Sequence, residues 1–244
     1  MKTPRLPWFI FFALSTVAAP ATFTQPALPS DLDSYVERVR QQFEVPGISL
    51  TIVKDGKVVL AKGYGIKKMG APGAVDAGTV FAIASNTKAF TATALALLVE
   101  EGKLEWDAPV IRYLPWFRLS NPYVTAELTV RDLLVHRSGL GLGAGDLLIW
   151  PGSNLNQRAI VQRLADVPLS TSFRSRYAYD NVLYLAAGEL IEAVSGQNWH
   201  DFVRTRILDK LEMRETGVRH SDITRFPNAA SAHARVSWKT PGKP

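Results

Sequence analysis

Cysteine is absent from this chain of 244 residues. No disulfide framework and no thiolate metal site can be built from it. There is also no basic stripe interleaved with aromatics. The formal charge of +6 is scattered, so no nucleic-acid partner is expected. His200, His220 and His233 lack metal-ligand spacing, and neither a metal nor another cofactor is expected. No internal repeat or low-complexity tract occurs. What remains is a globular composition, 47% hydrophobic and 20% charged, long enough for one ordinary domain or two small ones.

The first residues do not read as fold. Lys2 and Arg5 precede an apolar run, residues 8–19, that is short for a bilayer span. Ala19-Pro20-Ala21 has the small-x-small form of a signal-peptidase site. A cleaved export signal over 1–21 is expected, with a short membrane anchor as the alternative. The mature chain is then expected in the periplasm or outside the cell, touching membrane only through that signal. Missing cysteine is compatible with either place.

Beyond the lead-in, residues 31–44 place Leu32, Tyr35, Val36, Val39 and Phe43 at helical spacing. Pro46-Gly47 ends that helix. Residues 48–53 and 58–61 read as strands joined by Asp55-Gly56, a strong hairpin signal. Residues 66–78 form a Gly/Ala/Pro-rich loop, and residues 79–84 are β-like. Helices are predicted over 87–101, 129–135, 157–165, 182–194 and 199–208, with Gly139, Pro168 and Gly196 as punctuation. The expected organisation is α+β. Residues 22–84 begin an α/β domain, 85–212 form an all-helical domain, and 213–244 start a return to the sheet.

Ser85-Asn86-Thr87-Lys88 lies where the β-like run meets a helix. Ser85 would sit at the positive end of the helix dipole, near free N–H groups able to meet an oxyanion. Lys88 returns to the same face one turn on, within reach of the Ser85 hydroxyl. Tyr179-Asp180-Asn181 supplies a second candidate base, Tyr179, and an amide, Asn181, that can lock Lys88 or grip a substrate. Lysine and tyrosine both titrate near pH 10 when unperturbed, so a base among them needs a lowered pKa. A Ser-x-x-Lys alone arises by chance about once in a chain this size, and the bland roles are an N-cap and a solvated lysine. His136, three residues before Gly139, reads as a helix C-terminal residue rather than a partner for Ser138.

The two motifs occur in order, each beside a helix start. Residues 81–91 around Ser85, the stretch Glu101-Gly102-Lys103-Leu104 with Asp107 and Pro109, and Leu133 to Leu140 extend the pattern. So do Tyr177 to Asn181 with Tyr184, Leu185, Gly188 and Glu192. Together they resemble the serine β-lactamase and penicillin-binding-protein superfamily, nearest its class C β-lactamase and esterase-like branch. The resemblance implies a β-lactamase/transpeptidase-like fold, an antiparallel sheet flanked by helices plus an all-helical domain. It implies an acyl-enzyme on Ser85, proton transfer shared by Lys88 and Tyr179, and substrate positioning by Asn181. The substrate would be a small acyl compound: a β-lactam, an ester or a D-amino-acid peptide. It also puts Trp150 near the pocket mouth. Ser153-Asn154-Leu155-Asn156 is not the Glu-x-x-Leu-Asn of class A enzymes, so deacylation would use the tyrosine side.

The family's third motif, Lys-Ser/Thr-Gly or His-x-Gly on a later strand, has no convincing counterpart. Lys239-Thr240-Pro241-Gly242 carries an inserted proline, and His233-Ala234-Arg235 lacks the glycine. The expectation is a C-terminally truncated member with an incomplete sheet. The alternative function is an inactive homologue or a non-hydrolysing binding protein of the same fold.

Overall fold

The computed structural model describes residues 28–234. The expected export signal and the Lys239–Gly242 segment lie outside them. The architecture is α+β: one helix and a two-stranded antiparallel hairpin, then a long helical region.

Helix α1 (Leu32–Gln42) leads into β1 (Gly47–Lys54), which pairs with β2 (Lys57–Gly65). Asp55 and Gly56 both have positive φ, 50° and 71°, the geometry that matches the twist of a two-residue hairpin. Ile52 pairs with Leu60 but Val53 with Val58, so Val59 is a bulge. Polar contacts fasten α1 to the hairpin. Asp33 accepts from Lys62 at 2.6 Å and from the Tyr64 hydroxyl at 2.7 Å. Gly63 permits a close crossing: a Cβ there would stand 2.2 Å from the Val75 carbonyl oxygen.

The β-like run over 79–84 forms no strand: Val80 makes one parallel bridge to Ala229, Ile83 has φ −95° and ψ 1°, and Ala84 already belongs to a 3-10 turn. Residues 228–231 lie along the loop after β2, with Val80 N–H donating to Asn228 and Ser231 N–H to Lys67. They do not extend the hairpin.

The core belongs to the helical region. Helix α2 (Thr87–Glu100) packs against α5 (Val182–Ser195). Helix α5 is buried from Val182 to Leu183 and from Ala186 to Ile191, which explains its nearly continuous apolar sequence. Leu95, Leu98, Phe117, Leu133, Leu164 and Phe202 fill the space around it. Its one buried acid, Glu189, is met by Arg158 at 3.0 Å.

Several predicted helices are shorter than their sequence pattern. Residues 129–135 hold only a 3-10 turn, Arg131–Leu133. Asp132 takes the Thr129 N–H and hydroxyl at 2.9 and 2.8 Å and is itself gripped by Arg174, so the segment is tied as a turn. The 157–165 helix is α4 (Gln157–Gln162) followed by a 3-10 turn. The 199–208 helix is α6 (Trp199–Val203) followed by a π turn, Arg204–Leu208. The helix α3 (Pro122–Glu127) was not predicted, although Asn121 caps it and Pro122 holds its first position. The Asn-Pro pair was the available signal.

Candidate active site

Ser85 sits in a 3-10 turn, Ala84–Asn86, that feeds directly into α2. The preceding Ala84 has φ 43°, a left-handed conformation that an alanine adopts under strain. Ser85 is exposed and makes no capping bond, so the N-cap role is not its own. Lys88, one turn into α2, is half-buried. Tyr179 and Asn181 come from the loop that enters α5.

These four side chains converge. The Ser85 hydroxyl and the Tyr179 hydroxyl are 2.7 Å apart. The Lys88 ammonium donates to Tyr179 Oη at 2.7 Å, to Asn181 Oδ1 at 2.8 Å and to Ser85 Oγ at 3.3 Å. It also faces the Tyr179 and Tyr184 rings at 4.8 and 5.0 Å. The hydrogen bond from Lys88 lowers the Tyr179 pKa, the Ser85 bond adds to this, and burial and Asp146 oppose it. Such a cluster can hold a phenolate against a cation, with a hydroxyl ready to give up its proton.

Asn181 is fully committed. Its Oδ1 takes Lys88, and its Nδ2 donates to both carboxylate oxygens of Asp146 at 3.2 Å. Of the two roles read from sequence, locking Lys88 is the one the bonds display. Asn181 occupies the N-cap position of α5 but makes no side-chain cap bond; Asp180 Oδ1 accepts from Leu183 N–H instead.

His136 corrects an expectation. It does not end a helix; it has φ 57°, and its ring is buried in the site. The ring stacks on Tyr179, centroids 4.5 Å apart at 30°, and its Nδ1 accepts the Asp180 N–H at 3.2 Å. The His136 carbonyl takes the Ala178 N–H at 2.8 Å. Ser138 is buried, and its hydroxyl accepts from Leu140 N–H. Sequence reasoning thus missed His136, Asp146 and Asp180. The first two meet the Tyr-x-Asn loop only through tertiary folding. Asp180 lay inside the motif as its unassigned middle letter.

Trp150 is exposed, on the same loop as Asp146, and its backbone N–H donates to the Asp146 backbone carbonyl. Two clefts among the described residues are lined by none of Ser85, Lys88, Tyr179 and Asn181. One is lined by Tyr123, Phe173 and Arg176, the other by Asp107, Arg131 and Arg137.

A serine, a lysine and a tyrosine joined by hydrogen bonds, on this fold, point to the β-lactamase-type class. The chain belongs to the Beta-lactamase family, whose sequence model matches residues 32–243. It is 30% identical over 201 residues to the unguisins hydrolase ungD of Aspergillus violaceofuscus, covering 80% of this chain and 35% of that protein. Among solved structures it resembles the octameric penicillin-binding protein homologue from Pyrococcus abyssi. That likeness has a TM-score of 0.70 and 30% identity, over 82% of this chain and 46% of the other. It also resembles the D-amino acid amidase from Ochrobactrum anthropi, at TM-score 0.65 and 28% identity, over 76% of this chain and 52% of that one. The chain therefore spans about half or less of each of these relatives. Its homologues include hydrolases of the β-lactamase fold.

Proposed function

We propose that this chain is a serine hydrolase of small acyl compounds, working through an acyl-enzyme on Ser85. The observation that carries this is the hydrogen-bonded triangle of Ser85, Lys88 and Tyr179. Lys88 stabilises Tyr179 as a phenolate. The phenolate takes the Ser85 hydroxyl proton as Oγ forms its bond to the substrate carbonyl carbon. The resulting oxyanion is met by the Ser85 N–H at the start of α2. As the tetrahedral intermediate collapses, the bond to the leaving group breaks and Tyr179 returns the proton to that group. Water then repeats the sequence to release the acid. Asn181 keeps Lys88 on the triangle. The substrate is a β-lactam, an ester or a D-amino-acid amide or peptide; the penicillin-binding protein homologue and the D-amino acid amidase among the relatives are named for two of these classes.

Incubation with a fluorophosphonate or a fluorescent penicillin tests the reading. A covalent adduct on Ser85, absent from Ser85→Ala, is expected. Folded protein that takes up neither reagent would sink the hydrolase reading and leave the non-hydrolysing binder.

A further inference from the structure

Among the described residues, Asp180 Oδ2 is the one buried side-chain polar atom with no hydrogen-bond partner. Asp180 is 1% exposed. A buried carboxylate oxygen left unpaired is costly, so its persistence beside the catalytic triangle asks for a reason. The oxygen stands 3.8 Å from His136 Nδ1. That nitrogen already accepts the Asp180 N–H, so it carries no proton of its own, and no proton lies between the two acceptors. The arrangement is one proton short of complete.

We propose that Asp180 and His136 form a one-proton latch beneath Tyr179. With the latch empty, His136 Nδ1 holds the Asp180 amide, and the imidazole ring holds the phenol at its 2.7 Å seats on Ser85 and Lys88. When a proton from solvent binds Asp180 Oδ2, the new O–H donates to Nδ1 and displaces the backbone N–H from it. The peptide between Tyr179 and Asp180 is freed, and the phenol leaves its seat. Asp180 and His136 are positioning residues, acting on the reaction through Tyr179; the inference rests on the acyl-enzyme reading.

The surroundings fit. Burial pushes the Asp180 pKa up to about 6, and Asp146 adds to the rise. The Leu183 N–H, the Lys88 charge and the neighbouring Ser138 hydroxyl pull the other way. Burial and the Lys88 charge keep the His136 pKa low, so the proton stays on the carboxyl side. Tyr177 and Tyr184 close the ring's other contacts, and the Tyr184 phenol, pushed up to about 12, remains neutral.

The sign of the linkage separates a latch from plain packing. Unfolded aspartate titrates near pH 4, the folded residue near 6, so the folded chain binds this proton more tightly. The stabilising contribution is complete below about pH 4 and is lost as the pH rises through about 6. Activity runs the opposite way, rising as the latch empties. Stability and turnover should therefore diverge over the same pH window.

Asp180→Asn tests this, because a carboxamide mimics the protonated acid and can donate permanently to Nδ1. With a p-nitrophenyl ester, wild type should show an acidic limb in kcat near pH 6, and Asp180→Asn should lack it. The variant's kcat at pH 8 should fall about tenfold with KM little changed, as expected for misplaced chemistry. Its Tm at pH 8 should exceed that of wild type. Nitrogen-15 NMR should show the His136 Nδ1 shift following the Asp180 titration near pH 6 in wild type, as its hydrogen-bond donor changes, and staying flat in the variant. An intact acidic limb in Asp180→Asn, or a lowered Tm at pH 8, overturns the latch. Wild type inert toward esters at every pH removes the acyl-enzyme reading, while NMR and Tm still decide whether the proton site exists.

Discussion

Lys88 decides the state of the site at the scale of single residues. Its ammonium satisfies three oxygens at once, and it is the first cause of the lowered Tyr179 pKa. Lys88→Met should return the Tyr179 pKa upward, visible in an ultraviolet phenolate titration, and move the alkaline rise of the acylation rate to higher pH. Tyr179→Phe removes the proton acceptor while keeping the ring against His136. Its acylation rate should drop roughly 100- to 10,000-fold with the Tm little changed, measured by stopped-flow with an ester. The Ser-x-x-Lys and Tyr-x-Asn residues were legible in sequence because each pair is local and sits beside a helix start. His136 was not. Gly139 lay in reach as a helix-ending residue, and nothing marks His136 as left-handed or as the partner of a backbone amide 44 residues away. Asp146 was hidden for the same reason, since its bond to Asn181 spans 35 residues.

The elements explain why the hairpin was readable and some helices were not. Asp55-Gly56 determines its own turn through two positive φ values, a local effect. The 129–135 pattern is apolar at helical spacing, but Asp132 and Arg174 override it from across the fold. Two element-level tests follow from packing. Gly63→Ala forces a methyl against the Val75 backbone, and over-packing of this kind costs about 1–3 kcal/mol. Phe202→Ala empties a fully buried site on α6 and should cost about 3–5 kcal/mol. Chemical denaturation measures both. The two should differ in reach: the first loosens the hairpin, the second the core beneath α2 and α5.

Across the whole molecule, apolar burial is unevenly shared. Val36, Tyr64 and Val75 are the buried hydrophobic residues around the hairpin, whereas Val53 and Val58 are exposed on it. The helical region carries the large core. Hydrogen exchange should therefore show the β1–β2 amides opening well before those of α5, because local stability follows buried apolar contact. Equal protection in both would mean that the hairpin is held by more than the described contacts. The α+β class was legible from the change after residue 84, from strand pattern to helical pattern. The way residues 228–231 run beside the loop after β2 was not, since one parallel bridge leaves no pattern in sequence.

The left-handed alanine before the nucleophile has a consequence for engineering. Glycine would occupy the Ala84 conformation without the steric penalty, which is about 1–2 kcal/mol for other residues. Ala84→Gly should therefore melt at a higher temperature, yet give the serine a wider arc of motion and a slower reaction. One methyl group then separates a sturdier protein from a better-aimed one.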